Sequence, residues 1–177
     1  MLAWDQVRRL YVRHVAPSFC AVGFRRPGRT MRRYRADFVD VIDFHCGKYN
    51  DRANISFGCG LRMFVKQNPR PWHCTFDHWP HDETLTRLLE FQENEDAQVE
   101  AFSQLQPLLL GRAERWFALL PDLLTAREAA ARNTAVDDAS VATFRVPSPA
   151  HGEALRLLDA AFSAAPPSAK RTGARSR

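Results

Sequence analysis

A chain of 177 residues that is 45% hydrophobic and 25% charged has enough apolar mass for one domain with its own core. Its net charge of +5 is unevenly spread: residues 1–81 hold 14 Lys and Arg against 6 Asp and Glu, residues 82–138 hold 5 against 12, and residues 170–177 add +4. A domain divided in this way is a poor electrostatic match for nucleic acid, and no apolar run approaches the ~20 residues of a membrane-spanning helix.

Arginine outnumbers lysine 22 to 3, a bias typical of GC-rich bacterial genomes, so some arginines stand in for surface lysines. The opening MLAWDQVRRL has charges where a secretory leader has an apolar stretch. Together with four cysteines at unpatterned positions, this predicts a cytoplasmic protein with four free thiols.

Trp4, Val7, Tyr11, His14 and Val15 recur at helical spacing, which predicts a helix over residues 4–15. Pro17 ends it and can start a second over 17–22, with Gly23 as a left-handed cap and Phe24 as a core plug. Six arginines then crowd GFRRPGRTMRRYR, residues 23–35.

Three strands are expected next: RTMRRYR, then FVDVIDFHC, then ANISFGCGLRMFV. In the third, Ile55, Phe57, Cys59, Leu61, Met63 and Val65 alternate with Asn54, Ser56, Gly58, Gly60 and Arg62, a period of two with one buried face. RAD and GKYND, between successive strands, are the hairpin turns.

Residues 67–82 read as a long loop with a short edge strand near 72–76. Helical patterns return at 83–91 and from 96 to about 131, where Pro107, Gly111 and Pro121 predict two or three helices. An edge strand at 141–146 and a helix at 152–164 follow. The fold class is α+β: an antiparallel β-meander of three to five strands packed against N-terminal and C-terminal helices. Residues 1–164 form a single domain, and 165–177 form a basic tail too polar to fold.

The run from Gly23 to Gly60 resembles the bacterial domain-of-unknown-function 4304 family. Gly23, Phe24, Arg25, Arg26, Gly28 and Thr30 match its Gly-Phe-basic-basic-x-Gly-x-Thr opening, and Phe44 and Gly58 match its strand positions. His45 stands where that family has glutamine, and Phe57 where it has leucine. The resemblance spans residues 3–66 best, and its motifs are shape-making glycines and core residues. It implies an architecture and leaves activity open.

With a tight GKYND turn, His45 lies across from Asn54, Asp43 from Ser56, and Val39 and Val41 from Gly60 and Gly58. Thr30, Arg32 and Tyr34 join the same face. The candidate binding surface is therefore Arg32, Tyr34, Asp43, His45, Asn54, Ser56 and Arg62, with glycines that admit a close backbone approach. An Asp–His–Ser trio has the groups for acyl transfer, but no nucleophile elbow accompanies it.

His73, Cys74, His78 and His81 spell H-C-x3-H-x2-H: zinc-ligand types without the close pairs a structural site uses, so loop histidines are the plainer reading. No metal or other cofactor is expected. The cluster of six arginines splits by strand alternation, Arg32 to one face and Arg33 and Arg35 to the other, which favours pairing with acids of the C-terminal helices over nucleic acid. The expectation is a non-enzymatic binding module with a protein partner, an immunity-type role against a toxin being one form of it. The alternatives are a hydrolase-like or metal-dependent enzyme and a weak nucleic-acid binder using the Arg-rich hairpin.

Overall fold

The computed structural model describes residues 1–25, 28–47, 51–65, 67–80, 82–132 and 151–164. Helices α1 (Trp4–His14) and α2 (Ala16–Ala21) lead into strands β1 (Thr30–Tyr34), β2 (Phe38–Cys46) and β3 (Ala53–Leu61). A 3-10 turn (Pro71–His73) precedes β4 (Phe76–His78), and α3 (Glu83–Leu89), α4 (Glu95–Ala118), α5 (Leu123–Arg132) and α6 (His151–Ala164) complete the order among the described residues. The fold is α+β, with a four-stranded antiparallel meander in the order β1-β2-β3-β4.

Local chemistry sets these boundaries. Val7, Leu10 and Tyr11 bury one side of α1, and Tyr11 stacks on Phe44 of β2 with ring centroids 3.9 Å apart. Gly23 adopts φ 95°, the left-handed conformation that costs glycine nothing, and returns Phe24 to the core. Asp82 accepts a hydrogen bond from the Leu85 N–H at the start of α3, and Asn94 accepts one from the Ala97 N–H at the start of α4. Each side chain thereby satisfies an orphan donor of the first turn.

Three expectations need correction. The third strand stops at Leu61 rather than Val65, because the chain turns back and the N–H groups of Phe64 and Val65 both donate to the Leu61 carbonyl. Met63 is consequently exposed. The short edge strand is Phe76–His78, and the 72–76 region is largely the 3-10 turn and the approach to that strand. Neither Pro107 nor Gly111 breaks α4, which runs continuously to Ala118; the break falls at Pro121 alone. The edge strand at 141–146, most of the GKYND turn and the basic tail lie outside the described residues.

The core lies between one sheet face and the helices. Phe38, Ile42, Phe44, Ile55, Phe57, Cys59 and Phe76 face Phe102, Leu105, Leu109, Trp116 and Phe117 of α4, with α1 and α2 alongside. The alternation read from β3 thus assigns its buried face correctly. All four cysteines are free. Cys46 pairs with Ala53 at one end of the β2–β3 ladder, whereas Cys59 pairs with Asp40 six residues further along, far beyond disulfide reach.

Candidate functional site

The second face of the sheet is built from cross-strand rungs in the expected register. Tyr34 pairs with Val39 and Val39 with Gly60; Arg32 pairs with Val41 and Val41 with Gly58. Thr30 pairs with Asp43, Asp43 with Ser56, and His45 with Asn54. Six of the seven candidate residues therefore share one face of three adjacent strands. Arg62 lies just past the end of β3, its guanidinium 5.8 Å from the centroid of the Tyr34 ring.

Part of this face is covered by chain that follows β3, through Val65 and the stretch from Pro69 to Cys74. A side chain on Gly58 would meet the Pro71 Cα at 2.5 Å and the Cys74 Sγ at 2.8 Å, and one on Gly60 would meet Val65. Val39, Val41, Cys74 and Val65 form a small second core there, and the Arg32 Nε donates to the Pro69 carbonyl at 2.9 Å. Glycine is required at both positions because another stretch of chain occupies the space of a Cβ.

Beyond this cover lies a polar knot. Asp43 is fully buried. Its Oδ1 accepts from the Thr30 hydroxyl, while its Oδ2 stands 3.3 Å from His45 Nδ1 and 3.7 Å from Arg29 Nη2. Burial alone would raise the Asp43 pKa; the close approach of His45, the Thr30 hydrogen bond and the charge of Arg29 outweigh it and hold the carboxyl below the usual aspartate range. Trp79 closes edge-on against the His45 ring at 5.3 Å. Ser56 is fully buried, and its Oγ has no hydrogen-bond partner. The Asp–His pair exists, but the serine is not linked to it and no solvent reaches the hydroxyl.

The zinc-ligand types do not converge. His78 pairs with Phe57 on the core face and stacks on Trp116 at 6.0 Å, whereas Cys74 lies over Gly58 on the opposite face. His73 is exposed and its Nδ1 accepts from the Arg70 N–H; His81 lies outside the described residues. Among the described residues no group of three His, Cys, Asp or Glu side chains is placed to hold a metal.

The arginines of the β1 approach split as the alternation requires. On the core face Arg33 and Arg35 both reach the buried Asp40, each at 2.9 Å. Arg33 also pairs with Glu114 of α4 at 2.7 Å, and Arg35 donates to the Leu120 carbonyl at 2.7 Å. These two cations tie the sheet to α4 rather than face a ligand.

Sequence reasoning missed the apolar side chains that the covering segment displays: Met63, Phe64 and Trp72 are all exposed. The available signal was the coincidence of Val39, Val41, Gly58 and Gly60 on one nominally polar face. Apolar and side-chain-free positions in a block call for a second layer. Comparison with family models, with curated proteins and with solved structures finds no match to the chain, and no helix among the described residues is long and apolar enough to cross a membrane.

Proposed function

We propose that the chain is a non-enzymatic binding domain that docks a protein partner on the covered second face of the sheet and its rim. One observation carries this reading. Of nine large apolar side chains exposed among the described residues, five (Tyr34, Met63, Phe64, Trp72 and Trp79) belong to this face, its covering segment or its border. Protein interfaces are enriched in these residue types and in arginine, and their binding energy concentrates in Trp, Tyr and Arg anchors.

Arginine is present in the same place: Arg62 lies over Tyr34, and Arg70 lies 5.3 Å from the Trp72 ring centroid. The complementary partner surface is apolar with an acidic margin. The hydrolase reading has less support, since Ser56 is closed to solvent and unconnected to His45. The nucleic-acid reading loses Arg33 and Arg35 to internal pairs. An immunity-type role is the form of the binding reading that a neighbouring toxin gene would favour.

The test is a Tyr34→Ser/Trp72→Ser double variant. A partner captured by the parent protein from its source cells is made pure and titrated against both forms. At least tenfold weaker binding by the variant, at unchanged melting temperature, is the expected result. Equal binding would place the interface elsewhere, and esterase or amidase turnover abolished by Ser56→Ala would put the enzyme reading first.

A further inference from the structure

Away from the covered face, four arginines line one cleft. It has a volume of about 310 Å³ and is bounded by Arg8, Arg9, Val12 and Arg13 of α1 and by Gly28 and Arg29 ahead of β1. Positions 8, 9, 12 and 13 follow the helical repeat, so they share one side of α1, while Val7, Leu10 and Tyr11 turn to the core. The approach to β1 then brings Arg29 against that side.

Compensating charge is scarce. Arg8 meets the exposed Asp5 at 3.4 Å, a neighbour three residues away, and Arg29 meets Asp43 at 3.7 Å. Among the described residues neither Arg9 nor Arg13 forms an ion pair, and no acid lines the cleft. The Nε of Arg29 is buried without a hydrogen-bond acceptor. Guanidinium groups gathered in this way repel one another unless an anion sits among them.

We infer that this cleft binds a compact polyanion of the diphosphate or polyphosphate class. Planar guanidinium forks match phosphate oxygens in pairs, and a singly charged carboxylate would leave most of the four unneutralised. The volume is at the small end of ligand sites, ~300–1,000 Å³, which suits an anion of headgroup size. Among the described lining residues Val12 is the one apolar side chain and none carries an aromatic ring, so they offer no stacking platform of the kind that nucleobases and single-stranded nucleic acids use. The cleft meets the second face of the sheet through Arg29, which pairs with Asp43; Arg9 and Arg13, the positions varied below, lie outside the proposed protein-binding surface, so the two readings are tested separately.

The experiment is calorimetric titration of the full chain with inorganic diphosphate at low ionic strength. Inorganic phosphate and a single-stranded oligonucleotide serve as comparison ligands. One diphosphate per chain is expected, bound at least tenfold more tightly than phosphate. Arg9→Gln/Arg13→Gln, which keeps helix propensity, should weaken it at least tenfold without moving the melting temperature of the free protein. Arg87→Gln, a charge removed from an exposed position on α3, should leave binding unchanged. Equal affinity in parent and double variant would overturn the inference, as would the lack of saturable diphosphate binding. Tighter binding of the oligonucleotide, weakened as much by Arg87→Gln as by the double variant, would do the same.

Discussion

Phe57 and Ser56 are adjacent in β3, both fully buried, and opposite in what they contribute. Phe57 lies within about 6 Å of Trp116 and Phe117, so Phe57→Ala removes transfer energy and leaves a cavity, at a cost of about 3–5 kcal/mol. The Ser56 hydroxyl is buried without a partner, so Ser56→Ala deletes a desolvated polar group and should be neutral or stabilising. Chemical denaturation midpoints decide it; a large loss on Ser56→Ala would reveal an unseen hydrogen bond. Asp43 makes a second residue-level prediction. Its folded pKa is depressed, so its stabilisation is complete above the ordinary aspartate value of ~4 and disappears as pH falls through the depressed value. Asp82 and Asp122 are depressed as well, so the informative quantity is a difference between proteins. In Asp43→Asn the loss of stability below that pH should be shallower than in the parent, and parallel acid limbs would contradict the assignment.

At the scale of elements, the covering segment depends on Gly58 more than on Gly60. Alanine at 58 would press its Cβ into the Pro71 backbone, whereas alanine at 60 would press on the side chain of Val65. Gly58→Ala should therefore cost about 1–3 kcal/mol by overpacking and lift the segment, Cys74 with it, from the sheet. That thiol is buried, and burial pushes its pKa up, so it should react slowly with a thiol reagent in the parent and faster in Gly58→Ala. Unchanged reactivity would mean that the segment stays seated. Much of this architecture was legible: period two assigned the faces of β3, and a tight GKYND turn gave the β2–β3 register. The overrun of β3 has a simple cause. Met63 and Val65 continue the alternation, but β2 begins at Phe38, which pairs with Leu61, so no β2 backbone remains for them. Pro107 misled for another reason. It is exposed on α4, where water can satisfy the carbonyl it leaves unpaired, and the buried stripe of Phe102, Leu105, Leu109 and Ala113 outweighs its penalty. Which segment covers the second face was not legible, because the cover is held by shape against glycines and not by any periodicity.

For the whole molecule, the division of charge seen along the chain becomes a joint between layers. Asp40, Arg33 and Arg35 sit on the core side of the sheet, and Arg33 carries the connection to Glu114 on α4 while Arg35 reaches the Leu120 carbonyl beyond its end. The Arg33 guanidinium also lies 4.8 Å from the Phe24 ring centroid and 5.5 Å from that of Phe117, and the Arg35 guanidinium 5.0 Å from that of Phe38. The aromatic faces and the carboxylate thus share the task of holding two cations in a poorly hydrated place. Removing Asp40 strands both. Asp40→Ala should cost about 3–5 kcal/mol, because the larger penalty of a broken buried pair is the charge left without its partner. The contrast is Arg127 with Asp159, which joins α5 to α6 with both side chains about half exposed; its loss in Arg127→Ala should cost under about 1 kcal/mol. Denaturant titrations of the two variants provide the comparison, and the sheet variant should also lose more of its stability difference from the parent when Arg33 and Arg35 are replaced together by Met. Comparable midpoints for Asp40→Ala and Arg127→Ala would show that the joint between sheet and α4 is held by its aromatic packing, with the charges incidental to it.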